Sequence, residues 1–189
     1  MKVLDVGSGA ERIHVPKGWT VTRFDADARA KPDIVGDVRE LSKHVTAGSY
    51  DVIHASHVIE HVYDHEVLPM LESFRRVARE YVHIKCPDIG RVAEVVADGR
   101  PIDWPLYNSP AGPVSSHDLL YGYVRYIKDV SDLYAHKCGF TKAKLFHLLK
   151  QAGFKEVDVR QNIGVFELEA IATTRTSDYR QLKSVQMKN

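Results

Sequence analysis

Val3-Leu4-Asp5-Val6-Gly7-Ser8-Gly9, residues 3–9, reads as a buried strand running without a break into a glycine-containing turn. In open α/β sheets this junction presents a ligand to the ends of the strands. A side chain at Gly7 or Gly9 would hold the backbone away from a ligand lying there, and both positions suit a positive φ. Nucleotide-binding folds share such turns, and glycine turns also occur with no ligand, so residues further along the chain decide between the two.

Downstream of this junction, short β-rich runs alternate with longer helical stretches, the pattern of a parallel α/β sheet. Strands are expected at Lys2 to Val6, Thr20 to Phe24, Asp33 to Val35, Tyr50 to Ala55 and Tyr81 to Cys86. Between the fourth and fifth, Leu68, Leu71, Phe74, Val77 and Ala78 recur at helical spacing and form one apolar face. From Asp98 to Ser116 the rhythm breaks, because Gly99, Pro101, Pro105, Pro110, Gly112 and Pro113 are dispersed through it. We read a long loop there, followed by the aromatic cluster Tyr121, Tyr123, Tyr126 and Tyr134. Thr141 caps a helix over Lys142 to Ala152 that Gly153 stops. Two last strands, Glu156 to Arg160 and Val165 to Ala172, lie little more than a turn apart and form an antiparallel hairpin at the sheet edge. The organisation expected is one domain over 1–174, with a substrate-side insertion at about 98–136, and a loosely held polar tail over 175–189.

Acidic residues fall where such a sheet holds its ligand. Asp25 comes after the second strand, about 20 residues beyond the glycine turn, where a carboxylate accepts both hydroxyls of a ribose. Asp37 comes after the third strand and can accept from an adenine amino group, with Val38 flanking the ring. Either aspartate alone is equally a turn or N-cap residue. Their order behind the glycine turn gives the pair its weight.

Composition narrows the class further. The 189 residues suffice for one hydrophobic core, and 26 Lys and Arg against 25 Asp and Glu leave a net charge of +1. No dense basic patch marks a nucleic acid or an anionic membrane as partner. Cys86 and Cys138 are too few for a disulfide framework or a zinc site and are read as reduced thiols. No apolar run is long enough to span a bilayer and no leader pattern opens the chain, so a cytoplasmic location is expected.

VLDVGSG, Asp25, the Gly36-Asp37-Val38 triplet and YDVIHASHVIEHV from Tyr50 to Val62 together resemble the motifs of class I S-adenosylmethionine-dependent methyltransferases. Gly18-Trp19 and AHKCGFTKAKLFHLLKQAGF, from Ala135 to Phe154, are similar to a compact bacterial subgroup of predicted methyltransferases, type 11-like. The resemblance covers most of Val3 to Thr173. It implies an α/β, Rossmann-like three-layer sandwich with a mostly parallel seven-stranded sheet closed by a C-terminal antiparallel hairpin strand. Its cofactor would be S-adenosylmethionine, leaving S-adenosylhomocysteine as product. By the resemblance, Asp5, Gly7, Ser8 and Gly9 lie against the methionine end, Asp25 and Ala26 at the ribose, Asp37 and Val38 at the adenine, and Ser56 and His57 beside the sulfonium. Two departures stand out: Glu11 replaces the third glycine of the turn, and the short segment Ala10 to Lys17, with Pro16, predicts a first helix that is shortened or absent.

Methyl transfer from a sulfonium is an in-line displacement with a neutral leaving group, so positioning and removal of water are the main tasks. Should the acceptor be a hydroxyl, His57 is the candidate base nearest the methyl group, with His117 and His136 reaching the site from the loop region. Tyr107 and Tyr121 are candidates for shaping the acceptor pocket. His57, His61 and His65 would share a face if their segment were helical, a spacing that can hold a metal. With no cysteine nearby and none supplied by the resemblance, no metal is expected; His61 is read as orienting a loop and His65 as solvated.

The expected function is methyl transfer to oxygen or nitrogen of a small-molecule or glycan-type acceptor. Many relatives carry N-terminal helices that cap the pocket, whereas this sequence opens on the first strand, so completion of the pocket in a homodimer is also an expectation. A nicotinamide-dependent oxidoreductase would share the turn and Asp25 but lacks the third glycine. A catalytically silent binding module that keeps the fold is the other alternative.

Overall fold

The computed structural model describes residues 1–176. Most of the expected polar tail, from residue 177 onward, lies outside the described residues. Seven strands form the main sheet: β1 (Lys2–Val6), β2 (Thr20–Asp25), β3 (Ile34–Val35), β4 (Tyr50–Ser56), β5 (Ala78–Pro87), β8 (Val157–Asn162) and β9 (Glu167–Thr173). Their order is β3-β2-β1-β4-β5-β9-β8. β1 to β5 pair in parallel, while β9 runs antiparallel to both β5 and β8.

Sequence dictates this layout through burial. In β1, β4 and β5 apolar residues run almost continuously, and Val3, Leu4, Val6, Val52, Ile53, Ala55, Val82 and Ile84 have no exposed surface, as parallel strands covered on both faces require. Two helices cover the face that carries Leu4 and Ile53. One is α2 (Asp64–Val77), whose Val67, Met70, Leu71, Phe74 and Val77 are buried, and the other is α6 (Lys142–Gln151), which buries Leu145 and Leu149. Thr141 caps α6 by accepting from the Lys144 amide at 3.2 Å. On the opposite face Val3, Val52 and Tyr81 pack against Ile13, Val15 and Trp19. Those residues belong to the irregular segment between β1 and β2, which contains no helix.

The remaining helices are α1 (Leu41–His44), α3 (Ile89–Ala97), α4 (Ser116–Tyr121) and α5 (Val124–Asp129). The expectation of one long loop over Asp98 to Ser116 is corrected: β6 (Pro105–Ser109) and β7 (Gly112–Ser115) form a separate antiparallel hairpin there. Prolines suggested loop, yet Pro105 opens β6 and Pro113 sits in a two-stranded ribbon, where a missing N–H can face outward without breaking a ladder. Pro110 occupies the turn, and Gly112 takes its φ of 113°. Ala78 also moves, from the end of α2 into the first position of β5.

β1 and β4 are neighbours although β2 and β3 intervene in the chain, so the connection reverses direction between them. Such a switch point leaves a crevice outside the carboxyl ends of the two strands, where open α/β sheets bind ligands.

Candidate cofactor and acceptor site

Gly7 leaves β1 with φ 63°, and Gly9 has φ 55°. Their turn is pinned because the Gly7 and Ser8 amides both donate to the Phe24 carbonyl, at 2.8 and 3.2 Å. The expected positive φ at Gly7 is accompanied by a further reason for glycine: a Cβ there would come within 2.4 Å of Val58 Cγ2, so the residue also makes room for the segment after β4. Gly9 faces open space. Asp25, at the end of β2, secures the turn from the other side, its Oδ2 accepting from the Gly9 amide at 2.8 Å and its Oδ1 from the Asp27 amide at 2.8 Å. Arg23 completes the clamp by donating to the carbonyls of Gly9, Ala30 and Lys31.

Two cavities meet at this turn. The first, of about 170 Å³, is lined by Asp25, Ala26, Asp37 and Val38 together with Val62 and Tyr134. The second, of about 220 Å³, is lined by Asp5, Ser8, Glu11, His54 and Ser56. Gly7, Gly9 and His57 border both. Every residue expected to touch the cofactor therefore lines one of two adjoining cavities at the switch point, with Asp25 and Asp37 in one and Asp5 and Ser56 in the other.

Electrostatics distinguish the three aspartates. Asp37 caps a short 3-10 turn over Val38–Glu40 and pairs with Arg39, which also reaches Glu66 at 3.1 Å. Hydrogen bonding from Arg39 holds the Asp37 carboxyl below its ordinary range. Asp25 spends two acceptor positions on backbone amides, and a carboxylate has about four, so two remain for hydroxyls. Asp5 is only 3% exposed, and its Oδ2 has no hydrogen-bond partner. Burial, with Asp25 adding repulsion and Arg23 opposing, pushes its carboxyl up to about 7. The Ser8 hydroxyl is likewise buried and unpartnered. An acid with an unpartnered oxygen and an unpartnered hydroxyl beside a cavity fit an incoming cationic, hydrogen-bonding group, such as the ammonium of a methionine moiety.

His57 has φ 54°, an uncommon conformation for a residue with a Cβ and one that marks a constrained site. Its Nε2 lies 3.1 Å from Glu167 Oε2 and its Nδ1 3.3 Å from Glu60 Oε1. Desolvation opposes its charge, but the two carboxylates outweigh it and push the imidazole up to about 10. In this state His57 donates from both ring nitrogens and cannot accept a proton. The segment is not one helix, so His57, His61 and His65 share no helical face: the backbone kinks at His57, Ile59–His61 forms a 3-10 turn, and His65 lies in α2 beyond extended Val62 and Tyr63. His65 is exposed and stacks on Tyr63.

The insertion contributes unevenly. Leu133, Tyr134 and Lys137 line the first cavity, and His136 packs edge-on against His61 with ring centroids 5.0 Å apart. His117 and Tyr121 instead pack on each other at 5.0 Å, and Tyr107 stacks on Phe166 at 6.4 Å; none of these three lines either cavity. Sequence reasoning missed Arg23, Arg39, Glu60 and Glu167 as site residues. Glu60 had a signal, its place inside the Ser-His-x-x-Glu-His segment. Glu167 had none, since it meets His57 across 110 positions of chain.

No curated protein sequence matches the chain. Among solved structures, an S-adenosylmethionine-dependent methyltransferase from Archaeoglobus fulgidus superposes with TM-score 0.57 at 16% identity, covering 91% of this chain and 85% of that one. A Thermotoga maritima protein described as a possible histamine N-methyltransferase gives 0.56 at 16% identity, with 92% and 82% coverage. For the CurJ carbon methyltransferase the values are 0.55 and 12%, and although 93% of this chain is covered it spans only about half, 48%, of that protein. At these identities the likeness establishes fold. The methyltransferase-domain family matches residues 1–159 in sequence. With the fold of the S-adenosylmethionine-dependent methyltransferases and a family match over most of its length, the chain belongs to the methyltransferase-domain family.

Proposed function

We propose that the protein transfers the methyl group of S-adenosylmethionine to oxygen or nitrogen of a small-molecule or glycan-type acceptor. The supporting observation is the two-lobed cavity that meets at Gly7 and Gly9, with Asp25 and Asp37 in one lobe and the orphaned Asp5 in the other. When bound, the cofactor supplies an electrophilic methyl group on a sulfonium.

The chain's own residues hold and orient. Asp25 offers its two remaining acceptor positions to a ribose diol, while Asp37 accepts from an adenine amino group and Val38 and Val62 flank the ring. Ionised Asp5 pairs with an ammonium in the second lobe, and Ser56 and His57 border the junction where the sulfonium belongs. Because the leaving group is neutral, no residue must protonate it, and exclusion of water by the insertion is the main catalytic task.

The acceptor enters from the insertion's side. Of the twelve large apolar side chains exposed among the described residues, Trp104, Tyr121, Val124, Tyr126, Val130 and Leu133 fall within it. That surface is available to the acceptor or to a second copy closing the pocket as a homodimer, which light scattering at assay concentration reads directly.

Calorimetry with S-adenosylhomocysteine and NAD in parallel tests the assignment. A ligand at 100 times its Kd adds about 2.7 kcal/mol of stability. Binding of S-adenosylhomocysteine alone supports the reading, and binding of NAD alone overturns it. Cofactor binding without transfer of labelled methyl to any metabolite or glycan pool would instead favour the silent binding module.

A further inference from the structure

Glu60 lies between β4 and α2, is 1% exposed, and its Oε2 has no hydrogen-bond partner. Its nearest cation is His57, whose Nδ1 stands 3.3 Å from Oε1. One ligand atom from each of Glu60, His61 and His136 lies within 4.8 Å of the other two.

Both imidazoles are set in the same sense. His61 Nδ1 is 3.2 Å from the Ala135 carbonyl, and His136 Nδ1 is 2.9 Å from the Leu119 carbonyl. A carbonyl only accepts, so each Nδ1 carries a proton, and in the neutral tautomer this leaves Nε2 as the ligating nitrogen. Metal-ligating histidines are oriented in this way by an outer hydrogen bond. The backbone holds the three residues together, since the Lys137 amide donates to the Glu60 carbonyl at 2.8 Å and the His136 amide to the Tyr121 carbonyl at 3.1 Å.

We propose that Glu60, His61 and His136 form a binding site for one divalent transition cation of the zinc class, at the wall of the cavity that His61 lines. Two imidazoles and a carboxylate suit zinc, iron(II) or manganese, and three protein ligands leave a coordination position open. Metal–ligand bonds of ~2.0–2.2 Å place ligand atoms about 3.3 Å apart, so the set closes inward on binding. His136, half-buried on the segment leading out of the insertion, is the member that would supply that movement. An open position takes a water or an acceptor oxygen and lowers its pKa, generating a nucleophile without a protein base. This last consequence rests on the methyl-transfer reading, whereas the metal site does not.

The test uses the full chain stripped by chelator and titrated without cofactor, with Zn²⁺ by calorimetry and Co²⁺ by visible absorption. Expected are one equivalent per chain, the d–d bands of a four- or five-coordinate nitrogen and oxygen site, and a loss of at least about 100-fold in Zn²⁺ affinity in His136→Ala. His65→Ala, altering an exposed neighbour, should bind as the wild type does. The proposal is overturned if the wild type takes up neither ion stoichiometrically, or if His136→Ala, folded by far-UV circular dichroism, binds with unchanged affinity. Should that variant not fold, protection of wild-type His61 and His136 from diethyl pyrocarbonate by Zn²⁺ reads the same contact, and absence of protection overturns the site. Because metal uptake and S-adenosylhomocysteine binding are measured separately, failure of one leaves the other standing.

Discussion

Asp5 makes cofactor affinity depend on pH. Its carboxyl sits at about 7 in the free protein against an ordinary 3.8, a difference equivalent to about 4 kcal/mol between its two protonation states. A raised carboxyl stabilises the fold fully in acid, and that contribution is lost as pH rises from about 4 through about 7. Pairing with an ammonium requires the ionised form, so the apparent Kd scales as one plus the ratio of protonated to ionised Asp5. With the free value at about 7 that factor is roughly 11 at pH 6 and roughly 1.1 at pH 8, so affinity for S-adenosylhomocysteine should rise about tenfold across this range. Calorimetry in two buffers of different ionisation enthalpy should find close to one proton released per ligand bound at pH 6. Asp5→Asn should flatten the slope, weaken binding at pH 8, and raise the melting temperature of the free protein there, since no charge is then buried. A wild-type Kd constant within twofold from pH 6 to 8, or an Asp5→Asn variant with the same slope as wild type, would refute the argument.

Single contacts set four other outcomes. Gly7→Ala places a Cβ 2.4 Å from Val58 Cγ2 at a φ of 63°, and should lower stability by roughly 2 kcal/mol or more and abolish S-adenosylhomocysteine binding, as thermal unfolding and calorimetry would show. Asp25→Ala leaves the Gly9 and Asp27 amides without their acceptor, at a cost of about 1–3 kcal/mol, and should weaken the ligand far more than it destabilises the free protein. His83 Nε2 lies 2.7 Å from Glu169 Oε1 and holds that carboxyl below its ordinary range, so this contribution is present above that range and lost as pH falls below it. Glu169→Gln should therefore lower the melting temperature at neutral pH and converge on the wild type in acid, which flattens the acid side of the profile. Leu149→Ala, which empties a fully buried position on α6, should cost about 2–5 kcal/mol, as read in urea unfolding.

The sheet was legible because β1, β4 and β5 are buried on both faces and their apolar runs need no partner to be recognised. The places of Asp25 and Asp37 were legible because each depends on local position, one at the end of a strand and one before a tight turn. What escaped depended on distant residues. His57 meets Glu167 only because β9 pairs with β5 and brings Glu167 opposite Pro87. The hairpin of β6 and β7 escaped because its prolines occupy positions a two-stranded ribbon tolerates, a distinction that composition does not carry. The face that a helical segment would have given His57, His61 and His65 is broken twice, by the positive φ of His57 and by extended Val62 and Tyr63. Glu60 was visible in its motif, but its burial beside His61 and His136 emerges only in the fold.

The insertion leaves and re-enters the sheet at almost one point. Asp88 and Phe140 form a parallel bridge, the Ile89 amide donates to the Phe140 carbonyl at 3.0 Å, and Gln161 reaches the Asp88 carboxylate at 2.7 Å. A module closed at its base in this way can be exchanged or lengthened without altering the register of any sheet strand. Because Leu133, Tyr134 and Lys137 of this span also line the cavity of Asp25 and Asp37, a foreign segment grafted between the two anchors has to keep those three positions while it varies the rest.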